Sequence, residues 1–185
     1  TVQLAEQFGQ VVFTRTGRAF QKNLGNEFAQ TPYLMYLHVD CFISAKHLSQ
    51  AEQALKAGNI GGCFRMRIKD SGLLFRLYEH AVNFRGNVMK VLDGDLGLFV
   101  DRAVFNSIGQ FDEIPVMEDL RFGRKLKAAG SITMVDEVIE VSSRKWHEKG
   151  FWKTFLSYVL AYIQLWTGMP FYKHPPNLCK VKQLS

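Results

Sequence analysis

Cysteine is scarce in this chain. Cys41, Cys63 and Cys179 form no CxxC pair and their number is odd, which argues against a disulfide framework and a structural zinc site and fits a reducing compartment. Long apolar runs are missing too: no stretch reaches the ~18 uninterrupted residues of a membrane span, and no secretory signal pattern is visible. Massed charge of one sign is also lacking. The 23 Lys and Arg against 17 Asp and Glu are scattered, so the net charge of +6 and pI near 9.3 call for an anionic partner without naming it. Nucleic acid, an acidic membrane surface and a phosphorylated small molecule all qualify. No internal repeat or low-complexity tract stands out.

What is present suits one folded domain. The 185 residues are 47% apolar and 22% charged, which excludes a disordered chain. Thr1 opens without a Met inside a helical pattern, so the sequence is expected to be a piece of a longer protein. Helical spacing predicts helices over residues 1–8, 18–30, 44–57, 72–84, 102–108, 118–129 and 151–167. Short strands are predicted over 11–13, 33–40, 61–68, 131–135 and 137–141, and within 91–100 two acids and two glycines stand immediately before a further apolar strand; basic loops are predicted at 85–90 and 142–150 and an irregular tail from Met169. Alternating helices and strands point to βαβ units and a largely parallel sheet.

The run of residues 33–40 is apolar and aromatic until it breaks into His38-Val39-Asp40, the pattern of a strand buried on both faces that ends at a polar crevice. Ligands collect at such strand ends in open α/β sheets. Asp40 is there either a hard oxygen ligand for a divalent cation or the N-cap of the next helix. Arg18 and Lys22 stand near the start of a helix, where a phosphate is favoured, though two solvated cations would read the same way. Asp93 or Asp95, among glycines, could bind acceptor hydroxyls or form a tight turn. Glu118-Asp119 opens a helix, either as favourable macrodipole electrostatics or as a carboxylate general base. His147 is a loop histidine with a conceivable ligand role. Residues 151–167 form either a core helix or one lying in a membrane interface.

Taken in order, His38-Val39-Asp40, Gly61-Gly62-Cys63-Phe64-Arg65, Gly94-Asp95-Leu96-Gly97-Leu98-Phe99-Val100, Met117-Glu118-Asp119-Leu120 and Ser143-Arg144-Lys145-Trp146 resemble the family 2 glycosyltransferases with a GT-A fold. The likeness is greatest to the small bacterial group described as radical-SAM/selenodomain-associated glycosyltransferases, and it runs from about Thr1 to about Thr167. It implies a Rossmann-like, mostly parallel central sheet flanked by helices, one domain over residues 1–168 and a tail over 169–185. It implies inverting, metal-dependent transfer of a sugar from a nucleotide-diphosphate donor (a UDP- or GDP-sugar) to an acceptor hydroxyl, for which a lipid-linked acceptor is one candidate.

By that resemblance Asp40 holds Mg2+ or Mn2+; His147, from the residues themselves, is a further candidate metal ligand. Asp119, with Glu118 beside it, is the catalytic base. Arg18, Lys22, Asn23, His38 and Asp40 bind the donor, and Gly94, Asp95 and Gly97 line the acceptor site. A nucleobase-binding strand and an acidic turn would precede Thr1. The expected setting is cytoplasmic, with peripheral contact at the inner face of the cell membrane and no nucleic acid partner. The competing reading is a non-catalytic basic module that binds an anionic membrane surface or nucleic acid.

Overall fold

A computed structural model describes residues 2–38, 41–114 and 116–167. Among them, eight α-helices surround a four-stranded sheet: α1 (Val2–Ala5), α2 (Arg18–Phe28), β1 (Tyr33–Tyr36), α3 (Ala45–Lys56), β2 (Gly61–Ile68), α4 (Leu73–Val88), β3 (Leu98–Asp101), α5 (Arg102–Ser107), α6 (Glu118–Ala129), β4 (Ile132–Val141), α7 (Arg144–Lys149) and α8 (Phe151–Thr167). A 3-10 turn, Gly94–Leu96, precedes β3. The predicted tail from Met169 and the key residue Asp40 lie outside the described residues.

The strand order is β1-β3-β2-β4. β2 runs parallel to β4, whereas β3 is antiparallel to both β1 and β2, so the sheet is mixed rather than mostly parallel. A chain reading of helix and strand alternation cannot see that β3 reverses direction, because the link from β2 to β3 carries helix α4, as a parallel crossover would.

β2 lies at the centre of the sheet. Phe64 and Cys63 are fully buried; the pairing with β3 ends at Gly62, and beyond Phe64 the strand alternates, with Arg65 and Arg67 exposed and Met66 and Ile68 buried. Along β4 the pairing steps from Phe64 opposite Val135 to Arg65 opposite Val138, so Asp136 and Glu137 bulge out. The two short strands expected there are one strand interrupted by this bulge. Phe64, Phe99, Phe105 and Phe122 form the fully buried aromatic centre, with Phe64 and Phe99 at 5.5 Å and Phe105 and Phe122 at 5.1 Å.

Four further expectations are corrected. β1 is an edge strand with only Leu34 buried; its aromatic run arises because Tyr36 packs on Phe105 and Phe111, not because both faces are covered. Residues 11–13 form no strand. The basic loop expected at 85–90 is largely the last turn of α4: Gly86 sits inside the helix because a Cβ there would come within 2.1 Å of the Met134 side chain. The basic loop at 142–150 contains α7, which forms because Trp146 is buried against Phe75, Tyr78 and Phe151.

Gly62 lets three strands close on one another, since a Cβ would lie 2.2 Å from the Thr133 carbonyl oxygen and 2.6 Å from the Phe99 ring. Gly62→Ala is expected to lower stability by about 1–3 kcal/mol through overpacking. A urea titration checks it: the midpoint should fall with an unchanged slope.

Candidate active site

Three chain ends meet on one side of β3. The first two turns of α2 supply Arg18 and Lys22, the first turn of α6 supplies Glu118 and Asp119, and the segment ahead of β3 supplies Asp93, Gly94 and Asp95. Met117, just before α6, adopts the left-handed conformation (φ 64°, ψ 25°), a strained choice for a side-chain-bearing residue, and sets the direction in which the two acids enter the helix.

Glu118 is fully buried. Its Oε1 accepts from Lys22 Nζ at 2.9 Å and lies 3.1 Å from Arg18 Nε, while Oε2 is buried with no hydrogen-bond partner. Asp119, its neighbour, turns the other way. Asp119 Oδ2 accepts the Gly94 N–H at 2.9 Å and Oδ1 accepts the Leu120 N–H at 2.8 Å, with Arg18 Nη2 3.7 Å away. Burial raises the Asp119 pKa and the adjacent Glu118 raises it further; Lys22 and Arg18 oppose this without cancelling it. Only glycine fits at 94, because a Cβ would stand 2.4 Å from Asp119 Oδ2.

His38, just past β1, completes the cluster. Its Nε2 lies 2.7 Å from Asp95 Oδ1 and 3.1 Å from Arg18 Nη2. Burial alone would raise the Asp95 pKa, but the His38 hydrogen bond and charge, then Arg18 and Lys145, outweigh it and hold the carboxyl below its ordinary value.

Asp119 and Asp95 open onto a cavity of about 480 Å³ lined by residues of α4, β2, α6, α7 and α8. Met66, Ile68, Leu96 and Trp146 make its wall apolar; Arg18, Asp93, Asp95 and Asp119 make one side charged; Lys145, Lys149 and Lys153 stand at its basic side. Asp93 is fixed by an ion pair with Arg85 and by the Tyr162 hydroxyl, which donates to its Oδ1 at 2.7 Å. The Arg85 guanidinium lies over the Tyr162 ring at 4.5 Å. Burial pushes the Asp93 pKa up to about 6, against the pull of Arg85 and the Tyr162 hydrogen bond.

The structure thus brings together Arg18, Lys22, His38, Gly94, Asp95, Glu118 and Asp119. Three expected site residues are not part of this group. Asn23 engages the Phe111 backbone with both ends of its amide, at 2.9 and 3.1 Å, and so serves the packing of the loop ahead of α6. Gly97 is left-handed (φ 65°) and buried against Phe64 and Ile139. His147 pairs with Asp70 at 2.6 Å and does not line the cavity. Arg85 and Tyr162 went unread in the sequence: each lies in a segment whose pattern speaks only of a basic loop or an apolar helix, and only the fold sets them opposite Asp93.

Among the described residues no three His, Cys, Asp or Glu side chains converge as a metal site. Glu118 and Asp119 are instead faced by Arg18 and Lys22, so these carboxylates do not by themselves fit a divalent cation; the expected ligand Asp40 lies outside the described residues. No protein-family model matches the chain, and no curated protein matches it.

The raised pKa of Asp93 makes a stability prediction. The folded state holds this proton more tightly than the unfolded chain, so the group's contribution is full at low pH and is lost as pH rises through about 6. Unfolding free energies of wild type and Asp93→Asn, measured from pH 4 to pH 7, should diverge by roughly 1–3 kcal/mol against the wild type as pH rises. A flat difference would remove the shift.

Proposed function

We propose that the chain is a glycosyltransferase that moves a sugar from a nucleotide-diphosphate donor to an acceptor hydroxyl. The observation that carries this reading is Asp119: a buried carboxylate of raised pKa, oriented by two backbone N–H groups, on the wall of a cavity of about 480 Å³ that also presents Asp95 and Arg18. The family resemblance of the ordered motifs supports the same assignment, with the GT-A fold as its finer form.

In this reading the acceptor enters the cavity with its apolar face toward Trp146 and Leu96 and a hydroxyl toward Asp119. Asp119 removes the hydroxyl proton as the oxygen attacks the anomeric carbon, and the bond to the nucleoside diphosphate breaks, its electron pair leaving with the phosphate oxygen. A raised pKa makes Asp119 a stronger base than an ordinary aspartate. Arg18, half-exposed beside the cavity, and Lys22 supply positive charge at the α2 N-terminus for the leaving diphosphate. Asp95, kept ionised by His38 and Arg18, accepts a further acceptor hydroxyl. Configuration inverts in a single displacement, and the divalent cation that the resemblance implies would fall to Asp40.

Incubating the full-length protein with nucleotide sugars, with and without Mn2+, and measuring nucleoside diphosphate release tests the reading. Asp119→Asn should cut turnover by about 10²–10⁴-fold, and the wild-type rate should fall on the acid side as the carboxylate takes up its proton. Full turnover in Asp119→Asn would take the base role from it.

A further inference from the structure

Helices α4 and α8 leave apolar rows in solvent. On α4 these are Leu73, Leu77, Phe84 and Val88; on α8 they are Trp152, Leu156 and Ile163, with exposures from 40% at Ile163 to 74% at Leu73. Each row follows helical spacing, with exposed His80 and Ala81 standing between Leu77 and Phe84 on α4.

The two stripes face the same way. Phe75 meets Phe151 at 5.6 Å, Tyr78 meets Phe155 at 6.3 Å and Arg85 lies over Tyr162, so residue number rises along both helices together and they run side by side in the same direction. At about 100° per residue, the α8 stripe lies roughly a quarter turn and the α4 stripe about a third of a turn from the line of contact between the helices, and the sense of that turn is opposite on the two. For parallel neighbours this places both stripes on the side away from the core, where Phe75, Glu79 and Val82 of α4 and Thr154 of α8 are buried.

The surroundings are basic. Arg144, Lys145, Lys149 and Lys153 are exposed across α7 and the start of α8, whereas Glu148, 3.8 Å from Arg144, is the one acid on these two helices. On α4, Arg76 is matched by Glu79 and Arg85 by Asp93, leaving His80. Lysines flanking a double apolar stripe suit an anionic lipid surface: aliphatic and indole groups enter the headgroup boundary while the lysines meet lipid phosphates. Nucleic acid offers nothing to the leucines, and a second copy of the chain would oppose one lysine rim to another. Among the described residues no helix is long and apolar enough to cross a membrane.

We infer that the paired face of α4 and α8 docks the protein flat on an anionic lipid surface, with Lys145, Lys149 and Lys153 meeting the lipid phosphates. This does not rest on the proposed sugar transfer, and the test contains no donor.

The full-length protein is sedimented with vesicles of phosphatidylcholine alone and of phosphatidylcholine mixed with phosphatidylglycerol, at low and high salt. Binding to the mixed vesicles that weakens with salt and is feeble on phosphatidylcholine is expected. Lys149→Glu with Lys153→Glu should lower partitioning about 5-fold or more per lysine, and Leu77→Gln with Trp152→Gln about tenfold. All four positions are exposed, and circular dichroism checks that the variants fold. Absence of binding to anionic vesicles, or binding unaltered in the variants, overturns the inference. So does a concentration-dependent dimer in analytical ultracentrifugation that Leu77→Gln with Trp152→Gln abolishes, which would give the face to a second copy.

Discussion

A buried carboxylate decides where the ends of α2 and α6 must sit. Glu118 has no access to water, and an ion so placed is tolerated only where opposite charge and hydrogen bonds replace the lost hydration. Lys22 and Arg18 do this from the first two turns of α2, both at the Glu118 Oε1 atom. The pairing therefore welds two helix N-termini together, and its side effects make the site: Glu118 raises the pKa of Asp119, Arg18 is drawn toward Asp119 and Asp95, and His38 is held between Asp95 and Arg18.

A second junction closes the far wall. Asp93 ties α4 and α8 to the turn that carries Gly94 and Asp95, through Arg85 and Tyr162. One cluster is rich in positive charge and exposed at Arg18; the other packs a cation between a carboxylate and a ring. The cavity lies between them, which gives it an ionic wall and an apolar one, and α8 supplies residues to both the cavity and the outer face.

Helices with an apolar face were legible in the chain, as at α2 and α4, because burial against the rest of the fold selects one face and leaves that periodicity in the residues. Glu118 and Asp119 were legible as a pair, yet not their division of labour: at adjacent helical positions side chains diverge by about 100°, and only the packing tells which one meets α2 and which the cavity. Asn23 is expected at the donor by the resemblance alone; its partner in the fold is the backbone of Phe111, which no side-chain pattern reveals. Strand direction was likewise hidden, since the residues of β3 would read the same whichever way it ran. The segment 85–90 reads as a basic loop because it holds Arg85, Gly86 and Lys90, yet α4 runs on to Val88 and packs Gly86 against Met134, a contact local composition does not show.

Gly94 has no side chain to offer any substrate, but the space its absent Cβ leaves is where Asp119 Oδ2 rests. Selection on the carboxylate therefore acts on the glycine as well. In a saturation scan position 94 would rank with the ionised residues, and a ranking by chemical reactivity alone would pass over it.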